Sequence, residues 1–187
     1  MILQVPYYSQ IKDTQNPDWK DKSCGIAALK MVLDFYKPTN LSIDELYQKG
    51  LNINGFLENV GWYHHSLANL AKSLGFRAIT RSWNIPKESL KHLNERGFEK
   101  QDIIILENQQ LEEGIFSLKS ELDQKHPIII SVPQGFEKGG SGHLVVLVGY
   151  DEDSFYFNDP IDKEKVKINI GQFKKIWEKR AIIIYPD

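Results

Sequence analysis

The chain contains a single cysteine, Cys24, in the segment SCGIAALKMVL. The apolar run after it predicts a buried helix that begins at the cysteine. A thiol at the N-terminal end of a helix meets unpaired N–H groups and the positive end of the helix dipole, which favour the thiolate. Gly25 leaves room for a carbonyl group to approach, and the Cys24 amide can donate to an oxyanion. Cys24 is therefore a candidate nucleophile; a cysteine that only packs in the core is the alternative.

A thiolate nucleophile needs a base and a group that orients the base. His143 begins the strand-like run HLVVLVGY, and the next run, SFYFNDP, contains Asn158 and Asp159 on opposite faces. An odd hairpin loop would pair Asp159 with Val145 and so place it on the face of His143, whereas a two-residue loop would place Asn158 there. Either side chain can orient an imidazole through its Nδ1–H. The pattern of residues leaves this choice open.

Further polar residues are candidates for oxyanion or metal binding. Gln10 and Gln15 precede the cysteine, and the side-chain amide of either can donate an N–H to an oxyanion. His64 and His65 are adjacent and point about 100° apart on a helix, with no cysteine or acidic partner at ligand spacing. We interpret them as the start of a surface helix. The predicted chemistry requires no metal ion and no organic cofactor.

Composition limits the classes of partner. The chain of 187 residues is 41% hydrophobic and 26% charged, with a formal net charge of -2, so no overall field favours nucleic acid or an anionic membrane. No apolar run approaches the roughly 20 residues of a membrane span, and the start MILQVPYYSQ lacks the features of a signal peptide. We expect a cytoplasmic location by default, or an extracellular one if this is the mature form of a longer precursor. The oligomeric state is not determined by these properties.

The elements that must position these residues fall into two groups. Helical patterns dominate the chain as far as LEEGIFSLKSELDQKH, and five strand-like runs rich in β-branched and aromatic residues follow. Helices followed by antiparallel strands are typical of an α+β fold. We expect a single domain, residues 1–187, with a helical half of about 1–125 and a sheet half of about 126–187. The helix of Cys24 would pack on the sheet, with a cleft between the halves.

Three segments, VPYYSQ, SCGIAALKMVL and GHLVVLVGYDEDSFYFNDP, resemble the motifs of one family in the same order. The family is the papain-like cysteine peptidases of the bacteriocin leader-peptidase, or double-glycine C39-like, type, including stand-alone bacterial members. The closing segment FKKIWEKRAIIIY is also similar. The resemblance implies a papain-like fold with Cys24 as nucleophile and His143 as general base and then acid. It also implies Asp159, rather than Asn158, as the orienting group and Gln10 as oxyanion donor.

The function that this resemblance implies is hydrolysis of a peptide or isopeptide bond through an acyl-thioester on Cys24. Transporter-linked members cut a leader peptide after a Gly-Gly pair, so the expected partner is a peptide or protein with small residues such as Gly before the cut. Ser23 stands where those members usually carry an acid, and the segment between Gln10 and Cys24 is longer than theirs. The alternatives are an acyltransferase of the same fold, which passes the acyl group to an amine, and a catalytically silent peptide-binding module.

Overall fold

The computed structural model describes residues 1–58, 60–161 and 163–186. Its α-helices are α1 (Cys24–Tyr36), α2 (Ile43–Asn52), α3 (His64–Ser73), α4 (Lys87–Glu95), α5 (Lys100–Asp123) and α6 (Ile170–Ile176). Short 3-10 helices cover Pro17–Lys22 and Gln134–Phe136. Within the described ranges, no helix is both long and apolar enough to cross a membrane.

The strands of the described chain are β1 (Phe56–Leu57), β2 (Gly61–Trp62), β3 (Arg77–Ser82), β4 (Ile128–Pro133), β5 (Gly142–Tyr150), β6 (Ser154–Asn158), β7 (Val166–Asn169) and β8 (Arg180–Tyr185). β1 and β2 form a small hairpin. The others form an antiparallel sheet in the order β3-β8-β4-β5-β6-β7. The five runs predicted in the second half all lie in this sheet. The prediction of an α+β fold with an antiparallel sheet is confirmed.

One strand of the sheet comes from the half of the chain that was predicted to be helical. β3 is an edge strand and pairs with β8, so that Ile79 lies opposite Ile183. β8 in turn pairs with β4, with Ile129 opposite Ile182. The sheet therefore contains residues from both sides of the predicted boundary near residue 125.

The helix α1 is buried because its sequence is apolar around most of its circumference. Residues 25–33 are all buried. The helix begins at Cys24, as predicted, and the backbone is extended at Lys37, since the residue before a proline disfavours the helical conformation. α1 packs against β5, the strand that carries His143, and this contact brings the cysteine and the histidine to one cleft.

Candidate active site

His143 and Asp159 form a buried pair at the end of β5 and β6. The Nε2 atom of His143 lies 2.7 Å from Oδ1 of Asp159, and the two residues are 4% and 3% exposed. Oδ1 also accepts a hydrogen bond of 2.9 Å from the backbone N of Ile161. We expected Asp159 to bind Nδ1, and this expectation is wrong: the far nitrogen of the ring is the one that reaches across to the neighbouring strand. Nδ1 is thereby left to face a different partner.

That partner is Cys24. Burial lowers the pKa of His143, but a hydrogen bond to Asp159 and a hydrogen bond to Cys24 raise it, and the charges of both partners raise it further, to a net value of about 9. Because Nε2 is bonded to Asp159, the hydrogen bond to Cys24 must involve Nδ1. At neutral pH the imidazole of His143 is therefore protonated and lies between a carboxylate and a sulfur.

A β-bulge decides which side chain of β6 faces His143. The paired residues are Tyr150 with Phe155, Gly149 with Tyr156, Leu147 with Phe157, and Val146 with Asn158. Val148 is the extra residue on β5. The loop between Tyr150 and Phe155 is even, and without the bulge its register would turn Asn158 toward His143. Neither of the two hairpins considered from the sequence describes this loop, and the bulge is what brings Asp159 to that face, in register with Val145.

Asn158 lies on the opposite face and connects two other segments. Its side chain is buried, donates from Nδ2 to the carbonyl O of Val5 at 3.3 Å and accepts at Oδ1 from the N of Lys165 at 3.1 Å. The hydroxyl of Tyr7 also donates to the carbonyl O of Asp159, at 2.9 Å. The N-terminal segment and the loop after β6 are thus held against the end of the strand that carries Asp159.

Cys24 is the first residue of α1 and is half-buried. The preceding residue, Ser23, is fully buried, and its hydroxyl donates to the carbonyl O of Trp19 at 2.7 Å rather than capping the helix. The N-cap side chain therefore does not occupy the N–H groups of the first turn, beside the sulfur.

Gly25 packs closely against the core. A Cβ atom at this position would lie 3.0 Å from Cδ1 of Leu144 and 3.0 Å from Cβ of Trp62. Leu144 and Trp62 also line the hollow beside Cys24, so the expectation that Gly25 leaves room for a substrate carbonyl stays a prediction. The glycine allows α1 to approach the sheet closely enough for Cys24 to reach His143.

The two glutamines lie in different environments. Gln10 is 1% exposed, its Nε2 donates to the carbonyl O of Lys20 at 2.8 Å, and its backbone N donates to the carbonyl O of Pro160 at 2.9 Å. It thus links the segment before Cys24 to the loop after Asp159. Gln15 is exposed, and its backbone binds Asp44. Gln10 keeps a second Nε2–H, so its role as oxyanion donor stays a prediction.

A hollow of about 140 Å³ lies beside Cys24, between α1, the β1–β2 hairpin and the sheet. Its lining consists of Cys24, Val60, Gly61, Trp62, His64, Ser131, Gly142, His143, Leu144, Glu178 and Arg180. In the described part of the chain, no three His, Cys, Asp or Glu side chains gather closely enough to hold a metal ion. The size of the hollow suits a small segment of an extended chain at the sulfur.

The sequence of the chain matches one family of known proteins. The model of the family described as Peptidase_C39 like family matches residues 2–182. The chain belongs to this family. A search of curated protein sequences finds no match.

Three solved structures share the fold of this C39-like chain. A C39-like peptidase, as it is described, from Bacillus anthracis has 19% identity and a TM-score of 0.62, with 100% of this chain and 97% of that chain covered. The peptidase domain of Streptococcus ComA, a bi-functional ABC transporter involved in quorum sensing, has 18% identity and a TM-score of 0.60, with 89% and 93% covered. A double glycine motif protease from an AMS/PCAT transporter, solved with the leader peptide, has 19% identity and a TM-score of 0.58, with 100% and 94% covered. The predicted papain-like fold is confirmed.

Sequence reasoning missed two residues of the C39-like cleft. His64 begins α3, as interpreted, but its Nε2 lies 2.5 Å from Oγ of Ser131 inside the hollow. Burial lowers the pKa of His64, and the charge of Arg180, which also lines the hollow, lowers it further. His64 was missed because a histidine at a helix start resembles a surface residue, and its contact with Ser131 forms only in the folded chain. Nothing in the sequence indicated Arg180, because only the folded sheet brings this residue to the hollow at Cys24.

Proposed function

We propose that this C39-like protein is a cysteine peptidase that hydrolyses a peptide or isopeptide bond through an acyl-thioester on Cys24. The observation that carries the proposal is the buried His143–Asp159 pair, which lies in hydrogen-bond contact with a cysteine at the start of a helix. A core cysteine needs no protonated imidazole beside it, whereas a nucleophilic one does.

In the first half of the proposed reaction, Sγ of Cys24 attacks the substrate carbonyl carbon. The carbonyl π-electrons move to oxygen, and the Cys24 amide and the free Nε2–H of Gln10 stabilise the oxyanion. When the intermediate collapses, the C–N bond breaks and the imidazolium of His143 transfers its Nδ1 proton to the leaving amine. The acyl group is then held as a thioester, and the His143 imidazole is neutral.

In the second half, the neutral imidazole removes a proton from water as the water attacks the thioester carbonyl. The C–S bond then breaks, the acid leaves, and Cys24 and His143 return to the anionic sulfur and the imidazolium. Asp159 keeps the ring in position through Nε2 and favours its charged form. The substrate class proposed for this cycle is a peptide or protein with small residues such as Gly before the cut, because the hollow beside Cys24 is small.

Alkylation of Cys24 by iodoacetamide at neutral pH tests the proposed pair without knowledge of the substrate. We expect Cys24 to react at least about tenfold faster in the wild type than in His143→Ala, because the imidazolium stabilises the reacting thiolate. His92→Ala is the matched control, since this histidine is exposed on α4. Equal rates in all three proteins would make Cys24 a packing residue and favour the peptide-binding module.

Hydrolysis is tested with a mixture of peptides that differ in the residues before the cut, with products identified by mass spectrometry. Wild type should release cleaved peptides and Cys24→Ala should release none. Added amines distinguish the two acyl acceptors, because an acyltransferase would give amide products where a peptidase gives acids. Cleavage by Cys24→Ala would contradict the proposed nucleophile.

A further inference from the structure

The hollow beside Cys24 has a polar floor. Ser131 and Leu144 are paired residues of β4 and β5, so their side chains project from the same face of the sheet, and both residues line the hollow. His64, at the start of α3, also lines the hollow, and its Nε2 lies 2.5 Å from Oγ of Ser131. Ser131 and His64 together are here called the polar floor.

The hydroxyl of Ser131 is not explained by the packing of its strand. All six residues of β4 are buried, and Ser131, which is 4% exposed, is the polar one among them. A buried hydroxyl loses its hydrogen bonds to water, and one bond to an imidazole recovers only part of that free energy. An apolar side chain would therefore suit the core at least as well, whereas a ligand in the hollow gives the hydroxyl a purpose.

The polar floor keeps hydrogen-bonding capacity after its internal bond is made. Burial and the charge of Arg180 lower the pKa of His64, so at neutral pH its ring has one N–H and one bare nitrogen. If Nε2 accepts from Ser131, the hydroxyl oxygen keeps its lone pairs. If Nε2 donates, the hydroxyl keeps its hydrogen and one lone pair. Oγ of Ser131 can thus accept from a ligand in both tautomers, and in one it can also donate.

The ligand group that fits both tautomers is a hydroxyl, because it can donate to Oγ of Ser131 and can also accept from it. A carboxylate only accepts, and Glu178 at the hollow repels it. An ammonium group meets the positive charge of Arg180, which also lines the hollow. Val60 and Trp62 form apolar walls, and the volume of about 140 Å³ admits only a small side chain.

We propose that the hollow binds the hydroxyl side chain of a Ser or Thr residue of the substrate, next to the bond that is cut, through a hydrogen bond to Oγ of Ser131. This inference rests on the proposed peptidase function and narrows its small substrate residues to those with a hydroxyl. A methyl group in the same place would remove water from Oγ without replacing the lost hydrogen bond, so the hollow discriminates against it.

Peptide pairs that differ by Thr or Val at one position test this proposal, because the two side chains have nearly the same shape and differ by the hydroxyl. Each position on either side of the cut is substituted in turn. Two readouts are taken: kcat/KM for hydrolysis, and protection of Cys24 from iodoacetamide, which reports binding without cleavage. At one position, wild type should prefer Thr over Val by about fivefold or more. S131A should reduce this ratio to about one.

The preference is a ratio measured within one protein, so a general loss of activity in a variant leaves it unchanged. S82A is the matched control, because Ser82 is exposed on β3 outside the hollow, and its hydroxyl accepts from the backbone N of Asn84 at 3.3 Å. This variant loses a serine hydroxyl elsewhere in the sheet and should keep the full preference.

Hydrolysis with no Thr preference at any position, or a preference that S131A retains, overturns the role of the polar floor but leaves the peptidase. The contact of His64 with Ser131 would then only hold α3 against the sheet. Thr-selective protection that S131A loses, without hydrolysis, overturns the peptidase but leaves the polar floor as a binding site. Neither hydrolysis nor protection by any peptide overturns both.

Discussion

At the scale of single residues, the protonation of His143 governs the proposed reaction. Its pKa is raised to about 9, well above the ordinary value near 6.5, so the ring is charged at neutral pH and loses its proton as the pH rises through about 9. The neutral ring cannot protonate the leaving amine. We expect kcat/KM for peptide hydrolysis to fall on the alkaline side with an apparent pKa of about 9. A fall near the ordinary histidine value would contradict this assignment.

Asp159 stabilises the protonated ring of His143. Its negative charge should therefore set the pH at which kcat/KM falls on the alkaline side. Asp159→Asn keeps an oxygen that can accept from Nε2 of His143 but removes the negative charge. The pKa of His143 should then decrease, the alkaline fall should move to lower pH, and kcat should fall by about tenfold or more. The pH dependence of kcat/KM in this variant measures the shift. An unchanged profile would show that Asp159 does not act on the ring.

The candidate site was predictable where residue type and order along the chain carry the chemistry. Cys24 and His143 were candidates because a thiol at a helix start and an imidazole at a strand start are local signals, whereas the choice of Asp159 over Asn158 came from the family resemblance. The choice of Nε2 was not predictable, because it depends on the distance between neighbouring strands. Arg180 was missed because its approach to Cys24 follows from pairing between distant strands.

At the scale of elements, the closeness of α1 to the sheet should control stability through Gly25. Gly25→Ala places a Cβ atom 3.0 Å from atoms of both Leu144 and Trp62, which have little room to move in the core. We expect the free energy of unfolding to fall by about 1–3 kcal/mol. Denaturant unfolding of the variant and wild type measures this change.

Gly142→Ala provides the comparison for that experiment. A Cβ atom at Gly142 would meet no atom within 4 Å, so the same substitution should change the free energy of unfolding by less than about 0.5 kcal/mol. Equal effects of the two substitutions would show that crowding at Gly25 is not what limits the approach of α1.

The β-bulge shows why strand pairing could be predicted but its register could not. The runs that form β5 and β6 have clear strand patterns, and turn residues separate them. The extra residue, Val148, lies in an apolar run without a local signal, and its carbonyl O accepts from the N of Leu3 at 2.8 Å. The bulge thus coincides with a contact to the other end of the chain, which a local pattern does not reveal.

At the scale of the whole molecule, the order of helices and strands along the chain predicted the α+β class. The order of the strands within the sheet could not be predicted from the sequence. β8 lies between β3 and β4, which are far apart in the chain. Many orders bury the same apolar runs equally well, so the hydrophobic pattern does not select one. The cleft depends on this order, because β8 brings Arg180 next to the strand of Ser131.

The same architecture predicts an uneven distribution of stability over the molecule. α4 has no buried residue, and α5 has none before Gly114, whereas residues 25–33 of α1 are all buried. Amides of α4 and of the first half of α5 should therefore exchange by local opening at a small free-energy cost, and those of α1 only by opening of the core. We expect exchange in α1 to be slower by about a hundredfold or more, measured by native-state hydrogen exchange with mass spectrometry.

The two halves of α5 provide an internal comparison for this last prediction, because they belong to one helix in one solvent. The C-terminal half contains the buried residues Gly114, Ile115, Leu118, Glu121 and Leu122 and packs on β4 and β5. Its amides should be protected like those of α1, while the half before Gly114 exchanges like α4. Uniform protection along α5 would show that helix and core open together and that residues 1–187 unfold as one cooperative unit without a separable helical projection.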